Sequence, residues 1–172
     1  MRKPLIAGNW KLHKNLAESR ELATGLANEL ADITDIDIVI APVYTAIATV
    51  AETVKSSPVS VAAQNCYPEE TGAFTGEVSP ILLKDAGCAY IIIGHSERRQ
   101  LIKESDQFIN QKVKKVLDAG LIPILCIGET LDERKAEKTE KVLDTQLTGT
   151  LAGVTADHLA KVVIAYELVW AI

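Results

Sequence analysis

Ile91-Ile92-Ile93-Gly94-His95-Ser96-Glu97-Arg98-Arg99 is the stretch of this 172-residue chain that is most informative about the fold. Its apolar run suits a parallel strand that is buried on both faces. The polar and charged residues that follow Gly94 are typical of the first turn of a helix. The stretch therefore predicts a strand that gives way to a helix, with His95 and Glu97 at the junction.

Similar apolar runs recur along the whole chain. Including the run above, they cover residues 5–7, 36–41, 59–63, 89–93, 121–127 and 162–166. Longer amphipathic stretches lie between them, and helix start signals occur at Asn15 with Glu18, at Thr130 with Glu133, and at Ser79-Pro80. Alternating strands and helices predict either an open doubly wound sheet or a closed (β/α)8 barrel, and periodicity alone does not choose between them.

We expect one domain over residues 1–172, because no linker or shift in composition divides the chain. The charged stretch 132–141 has Glu and Lys at helical spacing, which predicts the solvent-facing side of a helix. The hydrophobic content of 48% is sufficient for a substantial core.

Charge and cysteine content exclude several classes of protein. Eighteen basic residues stand against twenty-three acidic ones, and no basic cluster is interleaved with aromatics, so we expect no nucleic-acid partner. The first apolar run is interrupted by Gly8, Asn9 and Lys11, too early for a signal-peptide core or a membrane span. The three cysteines are widely spaced, which argues against a disulfide framework and a zinc site. These features predict a cytoplasmic protein with reduced thiols and no membrane partner.

Polar residues recur just after the predicted strands. They are Asn9 and Lys11 after the first, Gln64 and Asn65 after the third, His95 and Glu97 after the fourth, and Glu167 at the end of the sixth. In a parallel barrel these ends lie on one face, where active sites are built. We therefore expect these side chains to converge.

Each of these residues also has a purely structural interpretation. His95 can be an ordinary turn residue, Lys11 a solvated lysine, and Glu167 a carboxylate that caps neighbouring amides. The functional interpretation is that the helix dipole keeps His95 neutral, so that it can polarise a carbonyl oxygen. Lys11 would hold an anionic substrate, and Glu97 would be its ion-pair partner. Glu167 would be a base desolvated by Tyr166 and Trp170, whereas Cys126 is interpreted as a packing residue.

Motifs in order along the whole chain resemble the triosephosphate isomerase family. They are Gly8-Asn9-Trp10-Lys11, Ala63-Gln64-Asn65, Gly72-Ala73-Phe74-Thr75-Gly76-Glu77, Ile93 to Arg99, Cys126-Ile127-Gly128-Glu129-Thr130, Ala165-Tyr166-Glu167 and Val169-Trp170-Ala171-Ile172. The resemblance implies a (β/α)8 barrel that interconverts dihydroxyacetone phosphate and glyceraldehyde 3-phosphate. It also implies a homodimer and neither a metal nor an organic cofactor.

The same resemblance assigns roles to individual residues. Glu167 would be the base, His95 the neutral electrophile, Lys11 the cation beside enediolate and phosphate, and Asn9 a further hydrogen-bond donor. Glu97 would be the acidic residue close to Lys11 and His95, and Ser96 would meet the base before the lid closes. Thr75 would belong to a loop that reaches Asn9 and Lys11 of the partner subunit.

Two features depart from the family pattern. Leu168 occupies the position of a proline, which we expect to weaken the coupling between lid closure and placement of Glu167. A complete barrel needs about 250 residues, so six of its eight strands are expected here. We therefore expect the chain to be part of a longer reading frame, and to be only partly folded and nearly inactive alone. The alternatives are a noncatalytic remnant that pairs with a partner chain, and a sugar enzyme using Glu97 and Glu167 as acid and base.

Overall fold

The structure is a computed structural model that describes residues 3–171, so Ile172 of the last motif lies outside the described residues. Its strands are β1 Leu5–Asn9, β2 Asp37–Ala41, β3 Val59–Ala63, β4 Cys88–Ile93, β5 Ile122–Ile127 and β6 Val163–Tyr166. Its helices are α1 Leu16–Glu29, α2 Ile47–Val54, α3 Pro80–Asp85, α4 Ser96–Leu101, α5 Asp106–Asp118, α6 Leu131–Lys135, α7 Thr139–Thr150 and α8 Ala156–Leu159. Short 3₁₀ turns occur at Tyr44–Ala46 and Val169–Ala171.

The six strands form one sheet in the order β1-β2-β3-β4-β5-β6, and every neighbouring pair is parallel. A doubly wound sheet would reverse its strand order at a switch point, whereas a barrel adds strands in sequence. The topology thus decides between the two folds that periodicity left open. The prediction of a (β/α)8-type barrel with about six strands is confirmed as a half-barrel.

Apolar side chains cover both faces of the sheet, as near-continuous apolar strands require. On the concave face, Val39, Tyr90, Ile92 and Ile124 belong to one buried cluster. A larger cluster fills the space between the convex face and the helices, with Ile91 fully buried. Burial weakens at the edge strands, where Ile6 of β1 is 60% exposed and Ile164 of β6 is 42% exposed.

Local start signals explain where several helices begin. Asn15 and Glu18 form a reciprocal capping box at α1, and Thr130 and Glu133 form another at α6. These hydrogen bonds satisfy backbone N–H groups that lack helical partners in a first turn. The capping boxes predicted from the sequence are confirmed.

The charged stretch 132–141, predicted to be the solvent-facing side of a helix, is divided between two helices. The first helix, α6, ends at Lys135, and Glu137 has a φ of +56° before α7 begins at Thr139. A left-handed residue cannot continue a right-handed helix. The stretch nevertheless lies on the outside, with most of its side chains exposed.

The carboxyl ends of the strands carry the polar residues of interest. Residues 64–79, between β3 and α3, form a long excursion whose ends are joined by the Tyr67 N–H donating to the Val78 carbonyl at 2.9 Å. No helix within residues 3–171 combines the length and apolar character needed to cross a membrane.

Candidate active site

Glu167 and His95 meet at the ends of β6 and β4. The Nε2 atom of His95 lies 3.2 Å from Oε1 of Glu167, and the backbone N–H of Ser96 donates to Oε2 at 3.2 Å. Both side chains are mostly buried, at 9% and 17% exposure. The mostly buried Glu167 carboxylate is therefore held by two contacts, one with the His95 imidazole and one with the Ser96 N–H.

The other ring nitrogen of His95 indicates how the proton is placed. Its Nδ1 atom accepts a hydrogen bond from the backbone N–H of Glu97 at 3.3 Å, as the cap of α4. A nitrogen that accepts a hydrogen bond carries no proton, so the neutral ring has its proton on Nε2. That N–H points towards the Glu167 carboxylate, so a hydrogen-bond donor is available beside the candidate base.

Lys11 and Asn9 lie beside this pair. Lys11 adopts a φ of +52°, and its backbone N–H donates to the side-chain oxygen of Asn9 at 2.9 Å. The ammonium of Lys11 is 2.8 Å from Oε1 of Glu97. A cavity of about 380 Å³ is lined by residues that include Asn9, Lys11, His95 and Glu97. This geometry agrees with the prediction from the sequence that the polar side chains after these strands converge.

Electrostatics keep Glu97 ionised. The hydrogen bond from Lys11 is the main cause that lowers the pKa of the Glu97 carboxyl, while partial burial opposes the shift. An ionised Glu97 holds the Lys11 ammonium at the rim of the cavity. The cation is thus positioned without being covered, since its side chain is 36% exposed.

The aromatic neighbours of Glu167 in sequence face elsewhere, so the expectation that they desolvate it was wrong. Successive residues of a strand point to opposite faces, and the Tyr166 hydroxyl lies 2.8 and 3.0 Å from the two carboxylate oxygens of Glu129. The indole N–H of Trp170 also approaches Glu129, at 3.5 Å. Glu167 instead contacts His95 and the Ser96 N–H, and it lies near the buried thiol of Cys126.

Cys126 belongs to the buried cluster on the concave face, in agreement with its interpretation as a packing residue, and its thiol lies close enough to Glu167 to be influenced by that carboxylate. Burial raises the pKa of its thiol, and the charge and hydrogen bond of Glu167 raise that pKa further. The thiol remains protonated and can donate to the Glu167 carboxylate. No signal in the sequence indicated this proximity, because Cys126 lies on β5 and Glu167 follows β6.

Glu129 is a buried carboxylate at the end of β5. Burial opposes its ionisation, but hydrogen bonds from its own backbone N–H, Tyr166, Trp170 and Arg134 outweigh that effect and lower the pKa of the carboxyl. Arg134 lies 3.4 Å from Glu129 and 5.8 Å from the ring centre of Trp170. The residues on either side of Glu167 are thus tied to β5.

A sequence profile of the family described as "Triosephosphate isomerase" matches residues 4–172. The chain belongs to the triosephosphate isomerase family. It is 62% identical over 172 residues to the triosephosphate isomerase of Syntrophotalea carbinolica, and that match covers all of this chain and 68% of the relative. It is 55% identical to the triosephosphate isomerase of Trichlorobacter lovleyi, with the same coverage.

A solved structure gives the same result for the fold. The crystal structure of triosephosphate isomerase from Bartonella henselae superposes with a TM-score of 0.90 at 37% sequence identity. The superposition covers 98% of this chain and 69% of that one. Six strands of a triosephosphate isomerase barrel are therefore recognisable in both sequence and coordinates.

Thr75, the expected dimer contact, and Leu168, the departure from the family pattern, both lie outside the cluster around His95. Thr75 is exposed, in a turn closed by the Glu77 N–H donating to the Phe74 carbonyl at 3.0 Å. Leu168 is 37% exposed, and its carbonyl accepts from the Ala171 N–H at 2.7 Å as the chain enters its last 3₁₀ turn.

Several supporting contacts were not predicted from the sequence. The side-chain amide of Gln64 donates to the carbonyls of Lys11 at 2.8 Å and Ala41 at 2.9 Å, which anchors the Lys11 turn to β2. The guanidinium of Arg99 donates to the carbonyls of Gly94 at 2.7 Å and Cys126 at 3.3 Å, which joins the ends of β4 and β5. Both residues lie in motifs that resemble the family, and Gln64 also follows a strand, but neither signal indicates which backbone groups these side chains contact.

Proposed function

We propose that this site interconverts dihydroxyacetone phosphate and glyceraldehyde 3-phosphate. The observation that carries the proposal is the contact between the Glu167 carboxylate and His95 Nε2, with the Lys11 ammonium beside the same cavity. A base, a neutral hydrogen-bond donor and a cation are the groups that proton transfer next to a carbonyl requires.

In the proposed reaction, Glu167 takes a proton from the hydroxyl-bearing carbon next to the ketone. The electron pair of that C–H bond forms the carbon–carbon double bond, and the carbonyl π pair moves to oxygen. The N–H of His95 donates to this oxygen as its charge develops. Glu167 then returns the proton to the neighbouring carbon, and the hydroxyl proton moves between the two oxygens, so the product is an isomer with no net change in atoms.

General magnitudes are known for two of these groups. A positioned base contributes about 10²- to 10⁴-fold, and one preorganised donor at a developing oxyanion contributes about 10²- to 10³-fold. Lys11 favours the dianionic phosphate and the enediolate by charge, and Asn9 supplies a further amide donor. Glu97 and Ser96 act on other groups, since Glu97 positions Lys11 and the Ser96 N–H holds Glu167 before substrate arrives.

Isomerase turnover by residues 1–172 alone should be low. The edge strands β1 and β6 each lack a neighbour on one side within residues 3–171, and unpaired parallel edges are mobile and prone to aggregation. The relatives are longer, since the match covers 68% of the Syntrophotalea carbinolica isomerase. We call residues 1–172 joined to the remaining third of that isomerase the completed chain.

The experiment compares residues 1–172 with the completed chain in both directions of the isomerisation. We expect rapid turnover by the completed chain, at least 10²-fold lower turnover by residues 1–172, and large losses in the Glu167→Gln and His95→Gln variants. Glu21→Gln, on the exposed side of α1, is the matched control. A completed chain that folds but shows no isomerase activity would contradict the proposal and favour the noncatalytic alternative.

We also infer a homodimer through the segment 64–79. The cavity beside Lys11 has an apolar rim in which Leu12 is 91% exposed and Leu101 is 78% exposed. Exposed apolar rims are typical of surfaces that a partner covers, and the exposed turn at Thr75 of a second copy could reach Asn9 and Lys11 in this cavity. Sedimentation of the completed chain should give a dimer that Thr75→Arg weakens and Thr24→Arg, on α1, leaves intact. A monomeric completed chain would overturn this inference.

A cytoplasmic location is inferred from chemistry alone. All three cysteines, Cys66, Cys88 and Cys126, are free and buried. Reduced, unpaired thiols are usual in reducing compartments.

A further inference from the structure

Gln146 of α7 makes a two-point contact with the backbone of one residue at the end of β5. Its side-chain oxygen accepts from the Gly128 N–H at 2.9 Å, and its side-chain nitrogen donates to the Gly128 carbonyl at 3.0 Å. The last register pair between β5 and β6 joins Ile127 with Tyr166, so Gly128 lies just beyond the ladder. Gln146 therefore supplies the hydrogen bonds that an additional strand residue would supply.

Gly128 in turn lies directly against the backbone of Glu167. A Cβ atom built on Gly128 would overlap the Glu167 carbonyl oxygen and would lie 3.2 Å from a methyl carbon of Val169. The preceding residue, Ile127, accepts the Glu167 N–H through its carbonyl at 2.8 Å. The two peptide groups around Gly128 thus define where the backbone of Glu167 can lie.

We propose that Gln146 is a positioning residue for the Glu167 base, acting through the backbone of Gly128. The proposal rests on the function proposed above, because it assumes that Glu167 is the base. Gly128 is buried, so loss of the Gln146 amide leaves a buried donor and acceptor to find other partners. The peptide then rotates, and because Gly128 has no side chain to hold it, the backbone of Glu167 follows.

The consequence falls on the short contacts of the Glu167 carboxylate. Its distances to His95 Nε2 and to the Ser96 N–H are both 3.2 Å. A displacement of about 1 Å at a reacting group lowers the rate about 10²-fold. Gln146 itself touches neither His95 nor the cavity lining, so its effect is on geometry and not on binding.

The test uses three variants of the 172-residue chain. Gln146→Met keeps length and removes both hydrogen bonds, whereas Gln146→Glu keeps the acceptor for the Gly128 N–H and removes the donor to its carbonyl. Gln111→Met makes the same chemical change on an exposed position of α5 and is the matched control. Nuclear magnetic resonance then follows the Ser96 amide and the His95 imidazole nitrogens, which report the two contacts of Glu167.

We expect Gln146→Met to shift both reporters and to speed hydrogen exchange at the Glu167 amide, with a comparable or larger change in Gln146→Glu, whose carboxylate repels the Gly128 carbonyl, and none in Gln111→Met. In the completed chain, kcat should fall about tenfold or more while KM changes less than about twofold. A loss of stability that leaves the Ser96 and His95 signals unchanged would assign Gln146 a merely structural role and overturn the proposal.

The two proposals fail in different ways. If the completed chain lacks isomerase activity, the resonance and exchange data still decide whether Gln146 positions Glu167. If the variants of the 172-residue chain do not fold, the same substitutions in the completed chain give the split between kcat and KM. Unchanged kcat in a folded Gln146→Met variant would refute the role of Gln146 without affecting the proposed reaction.

Discussion

Tyr166 and Glu129 join β6 to the end of β5 immediately before the candidate base. The Tyr166 hydroxyl lies 2.8 and 3.0 Å from the two oxygens of the Glu129 carboxylate, and this hydrogen bond is the main cause that raises the pKa of the hydroxyl. Glu129 is fully buried. The charge of a buried carboxylate is tolerated only when donors surround it, so Tyr166 is held at Glu129. This contact fixes the position of Tyr166, the last residue of β6, and therefore where Glu167 begins.

Tyr166→Phe is expected to loosen this end of β6. The change removes one donor from a buried carboxylate while the ring is kept, so amide hydrogen exchange at Glu167 should speed up by about fivefold, the factor for one net hydrogen bond. Tyr67→Phe is the matched control, because the Tyr67 ring packs on Phe74 at 4.7 Å and lies away from Glu129. Equal exchange rates at Glu167 in the two variants would show that the Tyr166 hydroxyl does not hold the strand end.

The Lys11–Glu97 ion pair gives a pH-dependent contribution to stability. Because the folded-state pKa of Glu97 is lowered, chiefly by Lys11, its contribution is present above the usual glutamate range and is lost as the pH falls through the lowered pKa. Both side chains are more than a third exposed, at 36% and 46%. Screening by water therefore limits the contribution to about 1 kcal/mol or less.

Urea unfolding of the original chain and Glu97→Gln at pH 7 and pH 3 measures this effect. The original chain should be slightly more stable at pH 7, and the difference should shrink at pH 3. Glu52→Gln is the control, since its carboxylate is 3.6 Å from Lys55 and both side chains are largely exposed. A Glu97→Gln difference that grows as the pH falls would contradict the assigned sign.

The buried thiols should differ in their response to the charge of Glu167. Burial raises the pKa of Cys66 and of Cys88 to about 12, and burial followed by the charge of Glu167 raises that of Cys126. Since the thiolate is the reactive form, all three should alkylate slowly at pH 8 in the folded chain and rapidly in urea.

Glu167→Gln separates the two causes at Cys126. Removing the negative charge lowers the pKa of that thiol and should speed its alkylation about tenfold for each pKa unit. Cys88, for which burial alone is responsible, is the internal control, and peptide mass spectrometry reads the two sites separately. Equal acceleration at Cys88 would mean that the substitution had opened the fold instead.

Local sequence patterns predicted the strands well because a parallel strand buried on both faces is a short apolar run with little ambiguity. The predicted run 59–63 coincides with β3, and the runs around Ile91 and Ile164 differ from β4 and β6 by one residue. The capping boxes were predictable for a similar reason, because each joins two residues that are three positions apart. The break between α6 and α7 within the charged stretch 132–141 was not predicted, because a positive φ at Glu137 has no signature in a run of helix-favouring residues.

The supporting contacts of the site were not predictable in the same way. Gln146 reaches Gly128 across 18 positions of sequence, and Gln64 reaches Lys11 across 53. Such pairs depend on how helices pack on the sheet, and neither residue differs in type from a surface glutamine. Motifs identify the groups proposed for chemistry, whereas the residues that hold them in place require coordinates.

Leu168 is the remaining departure from the family pattern, and replacing it tests how the lid is coupled to the base. Proline fixes φ and reduces the freedom of the unfolded and open states by about 0.4–1 kcal/mol. Leu168 follows Glu167 directly, and its carbonyl already accepts the Ala171 N–H in the adjoining turn. A stiffer residue here should transmit movement of the lid to the Glu167 backbone more directly.

We therefore expect Leu168→Pro in the completed chain to raise kcat by about twofold to fivefold, the range of rate that such a free energy represents. Leu168→Ala is the matched control, because it removes the leucine side chain without fixing φ. A gain in Leu168→Pro alone assigns the effect to the backbone, whereas equal gains in both variants assign it to the lost side chain. No gain in either variant means that the φ freedom at Leu168 does not limit turnover.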